Sequence, residues 1–120
     1  MNFKLGEFNI VCKDLEKSLH FYQEILGFEF VEKDSGAMRL KFGGNYFLLL
    51  PFAKNENIKT PYCENPTFSF DILVDEISEA KKYFLSKGVT IEDEETEISE
   101  SFWIRDPDNL VIEVVSSSLQ

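Results

Sequence analysis

The chain has 120 residues, with 12 Lys or Arg against 22 Asp or Glu and a formal charge of -10. This length suits one folded domain that buries roughly two thirds of its unfolded surface, so it needs neither disulfides nor a structural metal to hold it. So acidic a balance repels phosphate backbones and anionic lipid, which argues against nucleic acid and membrane partners and leaves cationic or neutral ligands open.

Lys4, Glu7, Lys13, Asp14, Glu16 and Lys17 break up the first twenty residues, leaving no apolar run for a signal peptide or membrane span. A cytoplasmic protein is expected. Phe8, Ile10 and Cys12 alternate with Glu7, Asn9 and Val11 at the period of a half-buried strand. Asp14 then stands as N-cap to a helix whose apolar stripe is Leu15, Leu19, Tyr22 and Leu26, with Gly27 as its stop. Strands are predicted over 28–33, 37–42 and 45–51, the last two joined at Gly43-Gly44-Asn45. Residues 53–66, polar and holding Pro61 and Pro66, read as a linker.

The order then recurs. Phe68, Phe70, Ile72 and Val74 alternate with Ser69, Asp71 and Leu73. Ile77, Ala80, Phe84 and Leu85 form a second helical stripe that Gly88 ends, and strands follow over 89–93, 102–105 and 110–115. At an offset of 62, Phe8 meets Phe70, Ile10 meets Ile72 and Leu15 meets Ile77; Gly44-Asn45 falls on Asp108-Asn109 at 64, which sets Leu49 opposite Glu113. Two copies of one strand-helix-three-strand unit imply an α+β fold, with module one over 1–52, the linker over 53–66 and module two over 67–120, together a single domain.

Three stretches carry a family resemblance: Lys13-Asp14-Leu15-Glu16-Lys17-Ser18 running on to Phe21-Tyr22 and Leu26-Gly27-Phe28; Val74-Asp75; and the segment from Arg105-Asp106-Pro107-Asp108-Asn109 to Val114. They resemble the vicinal oxygen chelate superfamily, which includes glyoxalases, bleomycin resistance proteins and extradiol dioxygenases. The resemblance implies two βαβββ modules related by a pseudo-twofold, forming a cup-shaped mixed sheet with helices outside, and a homodimer. Metal-dependent relatives place four ligands in the cup. Those positions map onto Glu7, Leu49, Ser69 and Glu113. Leucine cannot ligate and a neutral serine ligates poorly, so no metal or other cofactor is expected; a divalent ion, if one binds, would use Glu7 and Glu113, with Asp71 as a possible third carboxylate.

Three readings of the glutamate pair stay open: acid and base of an enzyme, anchors for a cationic ligand, or partners of Arg39, Lys41 or Arg105. Asn9 joins them as a candidate ligand contact. Trp103, the only tryptophan, either stacks on a ligand or packs in the core, and one of Tyr46 and Phe47, with Phe47 the candidate, should enter the cup. No catalytic residue stands out. His20, the only histidine, falls off the apolar stripe, and Cys12 and Cys63 lack the spacing of a zinc or redox pair.

The acidity is uneven: residues 1–60 hold 8 acidic and 8 basic side chains, residues 61–120 hold 14 and 4. Glu92, Asp93, Glu94, Glu95, Glu97 and Glu100 read as a solvated loop. The function expected is metal-independent binding of a small molecule, cationic or aromatic, in an acidic cup. The alternative is a divalent-metal lyase, isomerase or dioxygenase with a reduced ligand set.

Overall fold

Asp14 ends one element and starts the next. Its extended backbone leaves its side chain free to accept from the Lys17 N–H at 3.2 Å, which satisfies one of the amides the first helical turn leaves open. Ahead of it lies strand β1 (Phe8–Val11) and after it helix α1 (Leu15–Leu19), which runs on into a π-wound turn (His20–Ile25). The structure, a computed structural model, describes residues 1–92 and 101–117.

The π turn corrects the predicted stripe. The wider winding, marked by the bond from the Leu26 N–H to the Phe21 carbonyl at 3.0 Å, brings consecutive residues Phe21 and Tyr22 onto the same buried side. The core face is therefore Ser18, Phe21, Tyr22 and Ile25, while Leu15, Leu19 and Leu26 are half-buried at its margins.

Strands β2 (Glu29–Asp34), β3 (Ala37–Phe42) and β4 (Asn45–Leu50) complete module one in the order β1-β4-β3-β2. β4 lies parallel to β1 and antiparallel to β3. Ile10, Leu40, Phe47 and Leu49 are buried on one face of this sheet, where Phe28 stacks on Phe42 at 4.2 Å and Phe8 on Phe47 at 5.1 Å. Each such ring pair adds about 1 kcal/mol beyond the area it buries.

Module two repeats the plan. β5 (Phe70–Val74), α2 (Ile77–Ser86), β6 (Ile91–Glu92), β7 (Ser101–Arg105) and β8 (Val111–Ser116) give the sheet order β5-β8-β7-β6, with β8 parallel to β5. Phe84 of α2 meets Phe102 edge-on at 6.1 Å over a core of Ile72, Ile104, Ile112 and Val114. Leu85, expected on the helical stripe, faces solvent. Gly88 closes α2 in the left-handed region, φ 77°.

The fold is α+β, two mixed four-stranded sheets each with its helix. The chain divides into two compact units between Glu56 and Asn57. Both flanks of that boundary are tied down. The Ala53 N–H donates to the Cys12 carbonyl in module one, and Asn57 exchanges side-chain hydrogen bonds with Asp108 and Asn109 in module two. The expected linker is thus shared between the modules. Of the acidic run, Asp93 to Glu100 lies outside the described residues. No helix among the described residues is long and apolar enough to cross a membrane.

Candidate ligand-binding face

Alternation along a strand puts every second side chain on the face away from the helix, and strand register decides which of these become neighbours. In module one the row on that face runs Asn9, Leu48, Arg39, Glu32; in module two it runs Asp71, Glu113, Trp103, Glu92. The rows are equivalent by topology. Leu48, and not Leu49, is therefore the counterpart of Glu113. Leu49 is fully buried in the module core, and Phe47 is buried beside Phe8 and Phe28. Neither reaches the open face, where Tyr46 and Leu48 stand instead.

The slip has a local cause. Phe42 and Asn45 pair across a tight Gly43-Gly44 turn, whereas Arg105 and Val111 pair across Asp106 to Leu110. Asp106 organises this wider loop: its Oδ1 accepts from the Asp108 and Leu110 N–H groups at 2.8 and 2.9 Å, and Asn109 adopts φ 67°. One more residue separates Trp103 from Glu113 than separates Arg39 from Leu48, and one residue decides which face a side chain takes.

The two candidate glutamates have different surroundings. Glu7 accepts from Arg39 Nε at 2.6 Å, and the same guanidinium contacts Glu32 and, at 3.5 Å, Asp34. The hydrogen bond that Arg39 donates to Glu7 is the main reason the Arg39 pKa is raised. Glu113 is half-buried and has no hydrogen-bond or ion-pair partner among the described residues, and neither has its register neighbour Asp71. Arg105, which might have neutralised Glu113, is instead taken by Glu92 at 2.9 Å and by the carbonyls of Thr60 and Asn109. Asn9 is exposed on the module-one row.

Residues 57–62 complete this face of module two. They run along it without joining a strand, held by the Asn57 side chain on the Asp108 carbonyl, by the Asn109 side chain on the Asn57 carbonyl, by Arg105 on the Thr60 carbonyl, and by Lys59 on Glu92 at 2.8 Å. At their end Tyr62 shares a 3.1 Å hydrogen bond with Ser69 and sets its ring 5.4 Å from that of Trp103, tilted by 52°. Tyr62 lies in a stretch whose neighbours Pro61 and Cys63 have the composition of a loop, and its aromatic ring inside that polar run is the one sequence signal that marks it.

A family model described as the Glyoxalase/Bleomycin resistance protein/Dioxygenase superfamily matches residues 4–114. The chain belongs to this superfamily. Among solved structures it is similar to an integron cassette protein from V. cholerae, at 25% identity over 98% of both chains and a TM-score of 0.69. The fold is shared with lactoylglutathione lyase from Agrobacterium tumefaciens (22% identity, 97% and 95% covered, TM-score 0.69). It is shared too with the fosfomycin resistance protein FosX from Listeria monocytogenes (19% identity, 99% and 97% covered, TM-score 0.77). No curated protein matches the sequence.

The metal that some members of the superfamily carry does not fit the side chains present. In module one Glu7 is committed to Arg39 and the strand position is Leu48; in module two the Ser69 hydroxyl is engaged by Tyr62 and Glu113 stands with Asp71. Among the described residues no three His, Cys, Asp or Glu side chains converge to hold an ion.

Proposed function

We propose that this superfamily member is a cytoplasmic, homodimeric small-molecule-binding protein that needs no metal and seats a cationic ligand on the open face of module two. The observation that carries the reading is the Asp71 and Glu113 pair, adjacent in register, without partners among the described residues, and beside Trp103. Like charges side by side on a sheet repel, and a cation set between them removes that cost. Asp71 is exposed and Glu113 half-buried, so a ligand can reach both. The sheet edges at β1, β2, β5 and β6 support the homodimer, since unpaired edges invite cover by a second chain.

The metal-dependent lyase, isomerase or dioxygenase reading draws support from two neighbours, the lactoylglutathione lyase and a FosX structure complexed with Mn(II). The commitment of Glu7 to Arg39 weighs against it. Calorimetric titration separates the two. Small organic cations should bind the wild-type chain, and Glu113→Gln should weaken them about fivefold, the effect of losing a partly screened charge contact. Mn(II) should give no heat. A stoichiometric Mn(II) site that Glu113→Gln abolishes would overturn the proposal in favour of the enzyme, and an absence of any cation binding would overturn it outright.

A further inference from the structure

Tyr62 lies against Trp103, the register neighbour of Glu113. Its hydroxyl reaches Ser69, the residue leading into β5, while its ring meets Trp103 on β7. β8 runs between those two strands, and the register sets Trp103 opposite Glu113. β5 and β7 lie two strand spacings apart, roughly 9.6 Å, a gap that the Tyr62 and Trp103 side chains close together. Glu113 is thus flanked by Asp71 on one side and by Trp103 on the other, and Trp103 carries the Tyr62 ring against its own.

The Tyr62 hydroxyl shares a hydrogen bond with Ser69, and Trp103 stands beside Glu92 in the strand register. Their rings are tilted by 52° rather than stacked, and both residues are half-buried. What these residues offer a ligand is therefore negative charge and aromatic rings. Bare carboxylates suit a primary ammonium, which donates three hydrogen bonds. Aromatic faces suit an alkylated ammonium, whose diffuse charge is cheaply stripped of water.

Building on the reading of module two as a cation-binding face, we infer that Tyr62, Trp103, Asp71 and Glu113 form a site for an alkylated ammonium group, and that Tyr62 is the residue that selects it over a primary amine. Residues 57–62 act as part of the binding wall, positioned by Arg105, Asn109 and Glu92.

Choline and ethanolamine test the inference, since they differ only in methylation of the nitrogen. Each is titrated into the full chain while following Trp103 fluorescence and heat. Wild type should bind choline about fivefold more tightly than ethanolamine, the advantage one cation–π contact supplies. Tyr62→Leu should erase that preference, while Tyr62→Phe, which keeps the ring and loses the Ser69 bond, should retain it. Thermal melts confirm that both variants fold, and the Phe variant carries the test if the Leu variant does not. Equal binding of the two probes by wild type, or a preference that survives Tyr62→Leu, overturns the inference. If both probes bind equally and Glu113→Gln weakens both, the cation-binding reading stands and the role of Tyr62 falls; if neither probe binds, both fall.

Discussion

Burial works against the charge on Glu92, yet hydrogen bonds from Lys59, Arg105 and Trp103, together with the Arg105 charge, outweigh it and hold the carboxyl below its ordinary value of 4.5. A carboxyl depressed by folding stabilises the native state above the unfolded pKa, and that contribution disappears as pH falls through the folded pKa. Glu92→Gln should therefore cost stability at neutral pH, about 1 kcal/mol for a partly screened pair. The gap between wild type and variant should stay level above the ordinary carboxylate value of 4.5 and close as pH falls below it. Thermal melts across that range measure it, and a gap as wide at the acid end as at neutrality would mean that the Glu92 charge is not its source. The variant also tests the hold on residues 57–62, because Glu92 anchors Lys59 there and Arg105, its other partner, grips the Thr60 carbonyl.

At the scale of elements, glycine placement decides where the helices stop. After α2 the Val89 N–H bonds back to the Phe84 carbonyl at 2.9 Å across Gly88, whose φ of 77° costs any side chain strain even though nothing lies within 4 Å of the added Cβ. Gly88→Ala should lower stability by about 1 kcal/mol through the backbone alone, read as a shift in urea midpoint at constant slope. A larger loss with a changed slope would point to repacking of Phe84. Such stops, with the Asp14 cap and the period-two strands, are local in cause, and for that reason the strand-helix-three-strand order was legible in the sequence. Two features were not. The π turn depends on how Phe21 and Tyr22 are both drawn into the core, and periodicity at 3.6 residues has no term for that. The facing of β4 against β8 depends on a hairpin one residue longer, and aligning the turns by their Asn residues shifted Glu113 from Leu48 onto Leu49. The candidate site was legible only where a strand register was not needed: Glu113, Asp71 and Trp103 share a row, while Phe47 and Leu49 belong to the core and Tyr62 came from a stretch read as linker.

Across the whole molecule the charge of -10 invites a field explanation, in which any cation is drawn in by the acidic second half. The geometry favours a local one. Glu76 and Glu79 are exposed on and beside α2, on the helix side of the module-two sheet, whereas Asp71 and Glu113 occupy the opposite face. Exposed charges separated by roughly a Debye length, about 8 Å at physiological salt, are largely screened from one another, so the helix-side acids should hardly register at the site. The double variant Glu76→Gln/Glu79→Gln removes two negative charges and Glu113→Gln only one. At about 150 mM salt the double variant should shift the choline Kd by less than about twofold, against about fivefold for the single change. If the double variant weakened binding as much as Glu113→Gln did, and raising salt erased both effects together, recognition would belong to the net field. A difference that persists at high salt assigns it to the side chains in contact, which leaves the remaining acidity of module two to keep the chain soluble.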